Sequence, residues 1–198
     1  MKSNRWDDHY TEKARREKWL ARSVYKLQEI DRKFKLIHKG ARVLDLGCFP
    51  GSWSQYAIHK VGKQGDVVGI DLHTPKAFSP PHFRCIKGDI ETIEVEWLAA
   101  EIGPRNVVLS DLAPPTTGIR ATDATRSMSL AEKAARIGRA LLKNKGHFVC
   151  KIFEGEDLKP FKSDISPSFK QVRLFRPKAT RKRSREVYLV GTGFISKP

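Results

Sequence analysis

The sequence predicts an α/β fold: a mostly parallel sheet of about seven strands, the last one antiparallel, with helices on both faces. Three observations predict it. Short runs rich in β-branched residues alternate with stretches whose apolar residues recur at helical spacing, the pattern of βα units. Four aspartates, Asp45, Asp71, Asp89 and Asp111, fall at or just past the ends of four such runs. The alternation fails near the end, where two strand-like runs are joined only by a basic connection, so the final strand is expected to reverse.

In order along the chain, residues 10–34 read as one helix, with Trp19, Leu20, Leu27, Ile30 and Phe34 as its apolar stripe and Gly40 closing the region. Residues 42–46 (RVLDL) form a short strand, then a Gly/Pro turn, then a helix over 53–61. Residues 67–70 are a second strand ending in Asp71. Residues 82–87 are a third, ending before Gly88-Asp89, and 91–102 look helical. Residues 106–110 (NVVLS) are a fourth strand ending in Asp111. A loop rich in Pro, Thr and Gly spans 113–122. Asp123 suits the N-cap of a long helix to about residue 143, whose Met128, Ala131, Ala135 and Leu142 recur at helical spacing. Residues 146–153 are a fifth strand containing Lys151, 156–165 a short helix, and 171–175 and 187–190 the last two strands. No repeat or low-complexity tract interrupts the series, and residues 1–198 are expected to form a single domain.

Composition excludes several classes. With 198 residues, of which 39% are hydrophobic, the chain can bury a core. No stretch approaches the roughly 20 apolar residues that span a bilayer, and the first residues, MKSNRWDDHY, lack the apolar region of a secretory signal. Cys48, Cys85 and Cys150 are an odd number without CxxC spacing. They argue against a disulfide framework or a zinc ribbon and fit a reducing cytoplasm. The net charge of +16 is unevenly placed: residues 1–40 carry 12 basic and 6 acidic side chains, residues 41–158 carry 15 and 14, and residues 159–198 carry 11 and 2. A near-neutral middle thus lies between a basic N-terminal helical segment and basic C-terminal strands. Arg181, Lys182, Arg183 and Arg185 crowd together directly before an apolar run, a placement that favours a polyanion, nucleic acid before an acidic membrane surface.

The first βα turn reads Asp45-Leu46-Gly47-Cys48-Phe49-Pro50-Gly51-Ser52-Trp53. It is Gly-rich but is neither GxGxxG nor a P-loop. A carboxylate beneath such a turn suits an amino-bearing or cationic ligand better than a phosphate. Asp71 lies 20 residues beyond Gly51, the spacing of an acid that accepts both ribose hydroxyls. S-adenosylmethionine, an adenosine carrying an amino acid and a sulfonium, fits this set.

Five ordered motifs carry a resemblance over residues 20–193. They are Arg22-Ser23-Val24-Tyr25-Lys26-Leu27, the turn Asp45–Trp53 with Ser54-Gln55, Ser110-Asp111-Leu112-Ala113-Pro114, Lys151-Ile152-Phe153-Glu154-Gly155, and Ser184-Arg185-Glu186-Val187-Tyr188. They resemble the FtsJ/RrmJ family of RNA ribose 2′-O-methyltransferases. The resemblance implies a Rossmann-like S-adenosylmethionine-dependent methyltransferase fold. It places cofactor contacts on Gly51, Trp53, Asp71, Asp89 and Asp111, with Asp89 near the adenine amino group and Ile90 beside the ring; Asp45 and Gly47 belong to the same turn. The family's Lys-Asp-Lys-Glu tetrad falls on Lys26, Asp111, Lys151 and Glu186. This chain departs from the pattern at Cys48, Phe49 and Ser52, where many members have small residues and a second glycine, and at Pro115, where an asparagine is usual.

Methyl transfer from a sulfonium is an in-line displacement with a neutral leaving group, so no metal is required. A ribose hydroxyl needs alignment and a base. Lys151 is the expected proton acceptor. Lys26 favours its neutral form, Asp111 and Glu186 favour its charged form, and the alternative is a charged Lys151 that stabilises the developing oxyanion. Each residue alone has an ordinary reading: an edge lysine, a partner for Arg185, a solvated helix face. The set and its order carry the argument. Arg22, Arg181, Lys182, Arg183 and Arg185 are the candidate RNA contacts. The expected substrate is a ribose 2′-hydroxyl, a uridine's for preference, in 23S-type ribosomal RNA within the large subunit, with neither membrane nor obligate protein partner. The alternatives are transfer RNA or an mRNA cap as substrate, or a non-catalytic ribosome-assembly factor on the same fold.

Overall fold

The computed structural model describes residues 5–75 and 80–196. Seven strands form one sheet: β1 (Arg42–Leu46), β2 (Asp66–Asp71), β3 (Phe83–Lys87), β4 (Arg105–Ser110), β5 (Leu142–Phe153), β6 (Phe169–Phe175) and β7 (Glu186–Phe194). Their spatial order is β3-β2-β1-β4-β5-β7-β6. The first five are parallel, and β7 inserts between β5 and β6 antiparallel to both. The last strand therefore begins at the edge where its neighbours end. The helices are α1 (Arg5–Arg16), α2 (Val24–Phe34), α3 (Ser52–Val61), α4 (Val95–Ile102), α5 (Arg120–Leu141) and α6 (Leu158–Ile165).

The two-residue period of the strands sorts side chains between two cores. Leu44, Leu46, Val108, Phe148, Cys150 and Leu189 pack with α4, α5 and α6 on one face. Val43, Val107, Leu109, Val149, Tyr188 and Val190 pack with Leu27 and Ile30 of α2 and Trp53 and Ala57 of α3 on the other. Alternation then carries Asp45, Lys151 and Glu186 to the α2/α3 face.

The structure corrects four expected elements. The helix expected over 10–34 is two helices. The chain breaks at Glu17–Ser23, with Lys18 in left-handed conformation (φ 60°). Gln55 of α3 holds the break: its side-chain oxygen accepts from the Leu20 N–H at 3.1 Å and its amide donates to the Lys18 carbonyl at 2.9 Å. The helix expected over 91–102 starts only at Val95, because Asp89 turns the chain first, accepting from the N–H of Glu91 (2.9 Å) on its carboxylate and from that of Ile93 (2.9 Å) on its carbonyl. Asp123 does not cap α5, which starts at Arg120. Its carboxylate instead reaches back to the backbone N–H and hydroxyl of Thr117, each at 2.8 Å, and pins the preceding loop. At the far end α5 stops at Leu141 and β5 begins at once at Leu142, earlier than the apolar run alone indicated.

Candidate active site

The carboxyl ends of β1, β2, β3 and β4 open into a cleft of about 690 Å³. Gly47, Asp71, Asp89, Ile90 and Asp111 line it, together with Phe49, Pro114, Pro115 and, from α5, Arg126, Ser129 and Leu130. Gly47 has φ +76°, and a Cβ there would lie 2.7 Å from a Leu112 methyl, so only glycine keeps this wall open. Both oxygens of Asp71 accept backbone N–H groups, Oδ2 from Phe49 at 3.0 Å and Oδ1 from His73 at 2.9 Å. That pair of bonds ties the turn after β1 to the end of β2. Each oxygen keeps a lone pair for a further donor.

Asp45 lies beneath the turn, fully buried. Its Oδ2 accepts from the Ser54 hydroxyl at 2.7 Å, and its Oδ1 has no hydrogen-bond partner. Burial raises its carboxyl to about 7 against the opposing Ser54 bond, and the charges of Asp111 and Asp71 add to the rise. An orphaned, buried carboxylate oxygen under this turn fits an amino-bearing ligand such as S-adenosylmethionine, with Asp71 for a ribose and the free oxygen of Asp89 for an amino group. The residues present thus suit that cofactor.

Three expected contacts do not line the cleft: Asp45, fully buried beneath the turn, Gly51 and Trp53. Gly51 caps α3 at φ +114°, with its missing side chain's space taken by Leu20. Trp53 is 3% exposed and does not line the cleft. Its indole N–H donates to the Ser23 carbonyl at 2.9 Å, while the Ser52 and Ser23 hydroxyls bond at 2.8 Å. Together they staple α2 to α3 and place Lys26 over the sheet. Among the departures from the family pattern, Phe49 is exposed on the cleft wall with its ring against His73, and Cys48 is buried beside Cys85, sulfur to sulfur 3.9 Å.

Lys26, Asp111, Lys151 and Glu186, far apart in the chain, meet where β4, β5, β7 and α2 converge. The Lys26 Nζ pairs with Glu186 Oε1 at 2.8 Å. The Lys151 Nζ lies 3.2 Å from Asp111 Oδ1 and donates to the Asp111 carbonyl at 2.5 Å. Register explains the second pair: Ser110 is opposite Cys150, one residue before each partner. All four side chains are mostly shielded from solvent. Burial opposes ionisation of Asp111, but the charges of Lys151 and Lys26 and a hydrogen bond from Tyr188 outweigh it and hold the carboxyl below the usual range.

Tyr188 was not singled out by the sequence reading. It is opposite Lys151 in the β5–β7 ladder, and its hydroxyl donates to Asp111 Oδ1 at 2.7 Å. Its phenol is pushed well above its ordinary value, by burial first and then by the charges of Asp111 and Glu186. The signal that could have found it is position: two residues after Glu186 on a strand, it must share that residue's face.

Of the expected RNA contacts, Arg22 turns inward and donates to the Ala179 carbonyl at 3.1 Å. Arg185 donates to the Arg120 carbonyl at the start of α5 at 3.2 Å. Arg181, Lys182 and Arg183 are exposed on the β6–β7 connection. This connection packs on the N-terminal helices through Ala179, which clusters with Ala14, Val24 and Tyr25. The two basic segments therefore adjoin, beside the Lys26–Glu186 pair.

Residues 19–194 match the family model of FtsJ-like methyltransferases. The ribosomal RNA large subunit methyltransferase E of Desulforapulum autotrophicum is 46% identical over 192 residues, 97% of this chain and 95% of that one. The protein of the same name from Bdellovibrio bacteriovorus is 46% identical over 187 residues, 93% of this chain and 95% of that one. Among solved structures, one described as a ribosomal RNA methyltransferase from Plasmodium falciparum matches with a TM-score of 0.80 at 26% identity, covering 90% of this chain and 100% of that one.

Proposed function

Because the chain belongs to the FtsJ-like methyltransferase family, we propose that it methylates a ribose 2′-hydroxyl in large-subunit ribosomal RNA from S-adenosylmethionine, in the cytoplasm and as a single catalytic domain. The observation that carries this reading is the Lys151–Asp111 pair, which joins the buried tetrad to the cleft through Asp111. The names of the relatives support the ribosomal substrate.

S-adenosylmethionine, when bound, supplies the electrophilic methyl group. The turn at Gly47 would admit the cofactor close to the backbone, with Asp45 as the negative charge beneath it for the ammonium, while Asp71 would hold its ribose hydroxyls and Asp89 its adenine amino group. Lys151 takes the proton of the attacking hydroxyl. A neutral amine has two hydrogens and one lone pair. Asp111 offers both its carbonyl and its carboxylate to Lys151, which accounts for the two hydrogens and leaves the lone pair for the ribose hydroxyl. Tyr188 fixes the Asp111 carboxylate, and Glu186 fixes Lys26. Holding the hydroxyl in line is worth up to about 7–11 kcal/mol in favourable cases.

The test uses radiolabelled S-adenosylmethionine with large ribosomal subunits, deproteinised ribosomal RNA and transfer RNA in parallel, followed by nuclease digestion to locate the methyl group. Label on a 2′-O-methylnucleoside of ribosomal RNA is the expected result. Label on transfer RNA alone would overturn the substrate. Lys151→Ala should abolish transfer while cofactor binding by calorimetry survives; normal turnover by that variant would remove Lys151 as the proton acceptor.

A further inference from the structure

Two arginines of α5 have no part in the reading above. Arg126 lines the cleft beside Asp111 and Pro115 and is exposed to solvent. The other charged residues lining that cleft are Asp71, Asp89, Glu91 and Asp111, all acidic. Among the described residues Arg126 nevertheless forms no ion pair. Arg120, six residues earlier and less than two helical turns away, is also exposed. Its carbonyl accepts the hydrogen bond from Arg185. That bond fastens the first turn of α5 to the basic β6–β7 connection. Arg185 thus meets α5 at its first turn, and Arg126, further along the same helix, stands at the mouth of the cleft.

We propose that Arg126, with Arg120 behind it, binds a backbone phosphate of the RNA next to the target ribose. The inference rests on the function proposed above and adds to it a positioning residue and a direction of approach for the strand. The ligand chemistry follows from what faces the arginine. S-adenosylmethionine carries a sulfonium and an ammonium against a single carboxylate, so a guanidinium directed at it would meet net positive charge. A phosphodiester is the anion that the substrate itself brings to this rim. The planar guanidinium suits it, with two parallel N–H donors for two phosphate oxygens. The exposure of Arg126 leaves it accessible to a macromolecule.

The test compares wild type, Arg126→Ala and Arg126→Lys in three measurements: S-adenosylmethionine affinity by calorimetry without RNA, affinity for deproteinised large-subunit ribosomal RNA across a salt series, and KM for that RNA. Arg126→Ala should bind S-adenosylmethionine within about twofold of wild type, raise the RNA KM about tenfold and lower the slope of log affinity against log salt by about one. Arg126→Lys, which keeps the charge, should restore the slope and most of the KM. A thermal melt checks that both variants fold. Loss of cofactor affinity with unchanged RNA binding would turn the arginine toward the cofactor and overturn the proposal, and so would no change in either affinity. The salt series reads the arginine without turnover, so its failure is separate from a failure of the wild type to methylate ribosomal RNA.

Discussion

Asp45 is the residue whose environment departs most from what its side chain prefers. It is fully buried, has one hydroxyl donor and keeps one oxygen without a partner. With its carboxyl raised to about 7, the folded ligand-free protein holds a proton there that the unfolded chain has lost above about pH 4. The sign follows from linkage. Between about pH 4 and about pH 7 the folded state binds more protons, so this group makes the protein less stable as pH rises, and the effect levels off above 7. Asp45→Asn cannot ionise. Thermal denaturation of both proteins from about pH 5 to about pH 8 should show the wild type losing ground to the variant up to about pH 7, then a constant difference. A pH-independent difference would mean that Asp45 is ionised throughout. Asp45→Asn should also weaken S-adenosylmethionine, because an amide does not supply the negative charge for the cofactor's ammonium. This residue was visible in the sequence as an acid in a Gly-rich turn; its orphaned oxygen was not, because that depends on Ser54 arriving from α3.

Between elements, the contact that assembles the site is made by Glu29 of α2. Its two oxygens accept the backbone N–H groups of Lys178 at 2.7 Å and Ala179 at 2.9 Å, holding the β6–β7 connection against the helix. Hydrogen bonds to a charged acceptor contribute about 1.5–3 kcal/mol each when buried, and water replaces part of that here. Glu29→Ala should therefore cost about 1–2 kcal/mol in urea denaturation. It should also weaken RNA binding by loosening the connection that carries Arg181 to Arg185, with S-adenosylmethionine affinity intact; unchanged RNA binding would mean that the connection holds its place by packing alone. Elements of this kind show where sequence reading succeeds and stops. The strands were readable because each is a compact apolar run between turn residues, and the reversal of β7 followed from the missing crossover helix. The insertion of β7 between β5 and β6 did not follow, since apolar pattern does not name a strand's neighbours. The division of residues 10–34 was hidden for a related reason: the helical period continues through the break, and Gln55, from another element, imposes the turn. In the same way Trp53 stood inside a cofactor motif, yet its ring packs behind the site, 5.8 Å from Tyr188.

At the scale of the whole molecule, the question is whether the net charge of +16 is a property of the solvated surface or of one place. The fold gathers the basic N-terminal segment and the β6–β7 connection at the edge where Lys26 meets Glu186. Lys143 and Lys145, exposed at the start of β5, lie at the opposite end of that strand from Lys151. These positions separate the two meanings of the charge. Each phosphate neutralised adds about 0.7 to 0.9 to the slope of log affinity against log salt. Replacing Arg181, Lys182 and Arg183 together by alanine should lower the slope for ribosomal RNA by about 2 to 3, while S-adenosylmethionine affinity stays unchanged. Replacing Lys143 and Lys145 removes two charges against three and should leave the slope where it was, because a cation beyond about 10 Å of the RNA is screened at moderate salt. If both replacements lower the slope in proportion to the charge removed, the polyanion is met by the molecule's overall field. If only the first does, the RNA lies along the edge that bears the tetrad, and the basic ends of the chain act where the chemistry is.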